Sequence, residues 1–228
     1  MRVRITFSKT GPLKYIGHLD LQSLWERAVR RAGLPLAYTN AFHPQPRIYF
    51  ASALPLGFTS RCEVVDLRLN QDVNLADLPG LLRANMPSGI GILNVESVDE
   101  MSPALQTQVI AAEYEVTLME TLIVPELVVL STATRTQAEG SARLLQKVEE
   151  LLSMASIPRE RRGKAYDLRP LIEKLEVVSG DKIFMRLTAR EAATGRPEEV
   201  LAALGIKIDD ARIERTSLIF QGIPVKYL

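Results

Sequence analysis

The chain has two histidines, and each stands among residues that could do chemistry. His43 lies in NAFHPQPRIYF (40–50), between Phe42 and Pro44, with Gln45 and Arg47 close behind. His18 lies in KYIGHLD (14–20), with Gly17 and Asp20 beside it and Lys9 and Lys14 upstream. Two histidines among basic residues can cleave RNA without a metal by general acid–base chemistry. A residue before proline is pushed toward extended geometry, and both His43 and Gln45 precede one. The stretch therefore reads either as a stiff loop projecting His43, Gln45 and Arg47, or as a turn whose histidine bonds a backbone carbonyl. Around His18 the approach is to a helix start, where free N–H groups and the helix dipole favour phosphate. Asp20, read as the N-cap, would occupy those same N–H groups. Zinc needs four ligands, or three and a water, usually in close-spaced pairs. His18 and Asp20 make a poor pair and Cys62 stands alone, so no metal site is expected.

Charge is unevenly placed. Residues 1–61 carry nine Lys/Arg against two Asp/Glu, a balance of +7, and the remainder carries −6. Eight of the thirteen aromatics also fall in that first quarter: Phe7, Tyr15, Trp25, Tyr38, Phe42, Tyr49, Phe50 and Phe58. Cations interleaved with aromatics suit phosphate attraction and base stacking, although aromatics at such positions also build cores. A second basic cluster, IPRERRGKAYDLRP (157–170), sets Arg159, Arg161, Arg162, Lys164 and Arg169 against Glu160 and Asp167. It reads as an exposed loop or edge strand that contacts phosphates or guards against aggregation. Glu63 and Asp66 fall on opposite faces of a strand, which gives Glu63 a packing role beside a basic group such as Arg47.

The elements that position these residues follow from periodicity. Val3, Ile5 and Phe7 alternate with Arg2, Arg4 and Thr6, a half-buried strand. A helix runs from Asp20 to about Ala32 with Leu21, Leu24, Trp25, Ala28, Val29 and Ala32 as its apolar stripe, closed by Gly33. Strands follow at Leu36–Thr39, Arg47–Ser52 and Cys62–Leu69, then a helix over Leu75–Met86 and a strand over Ile90–Val98. Residues 100–112 lack a clear period and read as a linker. The pattern then restarts: a strand at Glu113–Met119, and a helix at Glu139–Ser153 with Ala142, Leu145, Val148 and Leu152 on one face. A hairpin spans Leu175–Thr188 around a glycine turn. A helix opens at Arg196-Pro197, and the last strand is Ile213–Phe220. Each half has the order β-α-β-β-α-β. The expected fold is α+β, two tandem ferredoxin-like domains with antiparallel sheets, over 1–99 and 113–228.

The segments FSKTGPLKYIGHLDLQSLWERAVRRAGLPLAYTNAFHPQPRIYFASALPLG, CEVVDLRL, AAEYEV, KAYDLRPLIEKL and GRPEEVLAALG resemble the radical SAM-linked (radical SAM-associated) proteins, a bacterial domain-of-unknown-function family. The resemblance covers nearly the whole chain and shows no departure from the pattern. Members are encoded beside, or fused to the C-terminal end of, radical SAM proteins with a cobalamin-binding-type domain. They often neighbour genes for an RNase of the E/G type and for ribosomal proteins. The resemblance thus implies a radical SAM partner that holds an iron–sulfur cluster, S-adenosylmethionine and, as a further candidate, cobalamin. This chain, with one cysteine, cannot supply the three or four thiolates of such a cluster, and it has no phosphate-binding P-loop motif. No cofactor is expected in it. The single cysteine fits a reducing cytoplasm, and no apolar run approaches the roughly 20 residues of a membrane span.

The favoured reading is a non-catalytic RNA-binding module presenting tRNA or rRNA to the radical enzyme. Its expected contacts are Lys9, Lys14, His18, Arg30, Arg31, His43, Gln45, Arg47, Arg161, Arg162, Lys164 and Arg169. The alternatives are a protein-docking subunit without RNA contact and a metal-independent RNA-cleaving enzyme using His18 and His43 as catalytic residues.

Overall fold

The computed structural model describes residues 1–119, 133–161, 163–190, 192–221 and 223–224. It is α+β with mostly antiparallel pairing and divides into two compact units. One comprises Met1–Ile110 and Ser217–Leu228, the other Ala111–Thr216. Among the described residues, no helix is long and apolar enough to cross a membrane.

The first unit contains β1 (Arg2–Lys9), α1 (His18–Arg31), β2 (Ile48–Phe50), β3 (Thr59–Arg68), α2 (Leu78–Asn85) and β4 (Ile90–Val98). Strand β1 pairs antiparallel with β3 and β4, and β3 with β2, giving the order β4-β1-β3-β2. Val3, Ile5 and Phe7 pack with Leu21, Trp25 and Val29 of α1 and Leu78 and Leu82 of α2. Phe7 meets Trp25 edge-on at 4.9 Å. Gly89, at φ +100°, lets β4 start against Thr10, whose carbonyl would lie 2.7 Å from an added Cβ. Helix α1 begins two residues before its expected start. Gly17 is the N-cap, and Asp20 sits in the first turn, where its carboxylate accepts from the Gly17 N–H.

The opposite face of β1 departs from the half-buried expectation. Arg2 is 4% and Thr6 1% exposed. Asp66, fully buried, accepts from Arg2 Nε and Nη2 at 2.9 and 2.7 Å and from Arg4 Nε at 2.9 Å. The carbonyls of Ser102 and Pro103 also accept from Arg2. Residues 100–112, expected as a linker, are therefore packed. They contain α3 (Leu105–Gln108), with Leu105 buried, and the start of β5 (Val109–Leu118).

The second unit contains β5 (mostly), α4 (Ala133–Ser153), β6 (Pro158–Arg161), β7 (Lys164–Asp167), β8 (Ile172–Ser179) and β9 (Lys182–Arg190). It continues with β10 (Ala193–Thr194), α5 (Pro197–Ala203) and β11 (Ala211–Phe220), whose residues from Ser217 belong to the first unit. The strand order is β11-β5-β9-β8, with β10 also on β9. Helix α4 buries Leu144, Val148 and Leu151; of the expected stripe Val148 is buried and Leu152 half-buried, while Ala142 and Leu145 are exposed. The adjacent leucines at 144 and 145 fit two helical phases, and the sequence alone does not choose between them. One face of β5 and β9 carries ion pairs, Arg186 with Glu113 and Lys182 with Glu115, both at 3.2 Å.

Candidate nucleic-acid interface

The first unit's cations are largely engaged by its own fold. Lys9 is 1% exposed and donates to the Ile16 carbonyl at 3.2 Å, which removes it from any contact surface. Arg30 pairs with Glu26 at 2.6 Å, and its Nη2 also meets the Tyr38 hydroxyl. Tyr38 and Glu26 together raise the Arg30 pKa above its ordinary value. Arg31 donates to the Asn85 carbonyl at 2.6 Å and so caps the last turn of α2. Lys14 lies over the Tyr15 ring at 4.9 Å. Arg47 is half-buried and makes no ion pair among the described residues, so the expected Glu63–Arg47 contact does not form.

The two histidines rest on different aromatics. His18, the first residue of α1 and exposed, meets Phe50 edge-on at 5.3 Å. His43 meets Phe42 edge-on at 4.8 Å. It sits on a loop closed by Thr39 N–H to the Gln45 carbonyl and Gln45 N–H to Thr39 Oγ1, both 2.9 Å. Outside the loop, the Arg47 N–H donates to the Ala37 carbonyl. Pro44 and Pro46 restrict the backbone of His43 and Gln45, and at the tip Phe42 is 95% exposed. The stretch is thus a stiff projecting loop, and its outermost group is apolar.

The second basic cluster is organised differently. Strands β6 and β7 form their own two-stranded ribbon, with Gly163 at φ +74° in the turn, a conformation that favours glycine. Its register pairs Arg159 with Tyr166, Glu160 with Ala165 and Arg161 with Lys164. Opposed residues share a face and neighbours alternate, so Arg159, Arg161, Lys164 and Tyr166 lie together while Glu160 faces away. The base is pinned by Asp167, whose Oδ1 accepts from the N–H groups of Ile157 and Arg169 at 2.7 and 2.9 Å. Ile157 and Leu168 are buried beneath it. The start of α5 adjoins the same face. Arg159 Nε lies 3.9 Å from Glu199 Oε2, and Arg196 Nη1 donates to Glu198 at 3.2 Å. Burial and the Glu199 carboxylate push the Tyr166 hydroxyl above 10.0, while Arg159, Arg161 and Arg196 pull it down. Among the described residues, the buried Arg159 Nε and Arg196 Nε have no hydrogen-bond partner. Four cations here face two carboxylates around one tyrosine.

Of the expected contacts, the ribbon brings together Arg161 and Lys164, while Arg162 lies outside the described residues. Arg169 is elsewhere: its Nε and Nη2 donate to the Leu152 carbonyl at 3.2 and 3.1 Å, closing the end of α4. Arg159, Tyr166 and Arg196 were not among the expected contacts. Reading Gly163 as the turn of a hairpin would have set the register and exposed the first two of these. Among the described residues no three metal-ligating side chains converge.

The described residues form an α+β protein that carries a basic face on the β-ribbon of the second unit. The chain belongs to the family described as an uncharacterized protein conserved in bacteria (DUF2344), matched over residues 2–197. No curated protein matches it.

Proposed function

We propose that the chain is a non-catalytic accessory module of a radical SAM enzyme that holds structured RNA, tRNA or rRNA, through the β6–β7 ribbon. One observation carries the reading: three ribbon cations and a tyrosine share one face, in register. Such a face supplies backbone phosphate contacts and one stacking ring, the combination used by ribbon and single-strand binders. The strand orders β4-β1-β3-β2 and β11-β5-β9-β8, each with its helices after the first and third strands, support two ferredoxin-like units. Sheet-face reading, as in RNA-recognition motifs, is not open to the first unit: its central strands bury Arg2, Thr6 and Asp66 on that face and carry no aromatic there. The radical SAM partner rests on the family resemblance, and its cluster would supply the chemistry.

The test is binding of the purified chain to a total small-RNA pool at two salt concentrations, with Arg161→Ala/Lys164→Ala alongside. Phosphate contacts release counterions, so affinity falls steeply with salt, and the double variant should bind more weakly with a shallower salt slope. Salt-insensitive binding, or none at low salt, would reject the RNA reading.

Phe42 favours a second reading for the other unit. A 95% exposed phenylalanine on a closed, proline-stiffened loop is an apolar anchor of the type that fills a partner's pocket. Phe42→Ser should abolish co-purification with the radical SAM protein while leaving RNA affinity unchanged.

A further inference from the structure

The first unit also holds a half-open cleft of about 280 Å³ lined by Arg2, Tyr49, Arg68, Ser102, Leu105 and Gln106. This is at the small end of ligand sites. Arg2 and Arg68 are cross-strand partners, so the two guanidinium side chains rise from adjacent positions on one sheet face. Arg2 is 4% exposed and uses four of its five N–H groups: two on Asp66, one on Ser102 and one on Pro103. One N–H of Nη1 has no acceptor among the described residues. Arg68 is paired with Glu100, whose other oxygen meets the Met1 amine at 3.2 Å. Glu100 is 45% exposed and comes from a turn in which Met101 is 89% exposed. The Tyr49 hydroxyl and the Gln106 amide have no partner among the described residues.

We propose that this cleft binds a small organic carboxylate. The ligand's carboxylate takes the place of Glu100 on Arg68 and reaches the unmet N–H of Arg2, with Tyr49 and Gln106 orienting its remainder. Glu100 shows what Arg68 accepts, and its exposed position lets it leave. A planar carboxylate fits the forked guanidinium in a way that a compact anion such as chloride does not. The inference stands apart from RNA binding, since no ribbon residue takes part.

The experiment titrates acetate, succinate and benzoate, each against its amide, into the whole protein at constant ionic strength, followed by backbone amide NMR shifts. Saturable shifts at Tyr49, Arg68 and Gln106 with the acids and not the amides are expected. Glu100→Gln, which frees Arg68, should tighten binding at least tenfold, and Arg68→Gln should abolish it with the amide spectrum otherwise preserved. Absence of saturable shifts in both the wild type and Glu100→Gln would overturn the proposal. So would undiminished binding to Arg68→Gln, or equal response to the amides.

Discussion

The two units use the same chemistry, arginine or lysine against a carboxylate across a β-sheet, in opposite solvents. In the first, Arg2 and Arg4 hold Asp66 with side-chain exposures of 4%, 17% and 1%. In the second, Lys182–Glu115 and Arg186–Glu113 lie on an open face at 20–41% exposure. Removing one member from a buried set leaves an uncompensated charge in a poorly solvated place, whereas an exposed pair returns to water. The contrast also explains where free charge sits. A segment with a formal balance of +7 turns its cations into the sheet, onto Glu26 and onto the end of α2. The acidic remainder carries a ribbon whose cations stay on one face. Charge counted along a sequence does not measure charge offered to a ligand.

The sharpest break in the comparison is Asp66→Ala. It strands Arg2 and Arg4 and should cost about 3–5 kcal/mol, read as a lower urea midpoint. A loss below about 1 kcal/mol would put the buried set on a level with the surface pairs and erase the contrast. Next is Arg169→Ala, which removes the guanidinium from the Leu152 carbonyl and should cost about 1.5 kcal/mol without changing RNA affinity. A loss of RNA binding there, with stability intact, would return Arg169 to the interface. Arg186→Ala should cost less than about 1 kcal/mol, and that loss should shrink further in high salt.

How much of this was legible depends on which physical signal each residue carries. Alternation in β1 and the apolar patterns of α2 and β4 are local, and their elements appear close to where periodicity puts them. The second face of β1 is not local. Arg2 and Arg4 read as solvent-facing until Asp66, more than 60 residues away, and the carbonyls at 102–103 arrive. The linker expectation failed for the same reason, because Leu105 is anchored by tertiary burial that no period announces. A loop at His43 was legible from Pro44 and Pro46, but the residue that dominates its tip is Phe42. The ribbon lay between these cases: its composition was visible, and its register waited on recognising one glycine turn.

The smallest expected effect is one that acid removes. Asp167 is half-buried, and its carboxylate accepts two backbone N–H bonds at the ribbon's base, from Ile157 and Arg169. These bonds favour the charged form, so the folded pKa lies below the ordinary 3.8. A group whose folded pKa is depressed adds stability above its unfolded pKa, and that stability is lost as pH falls through the folded value. Asp167→Asn keeps one acceptor oxygen but never ionises. The variant should therefore be less stable than the wild type at pH 6, and the gap should close below about pH 4, followed by urea melts from pH 2.5 to 6. A gap that stays constant across the range would assign the effect to packing at the ribbon base.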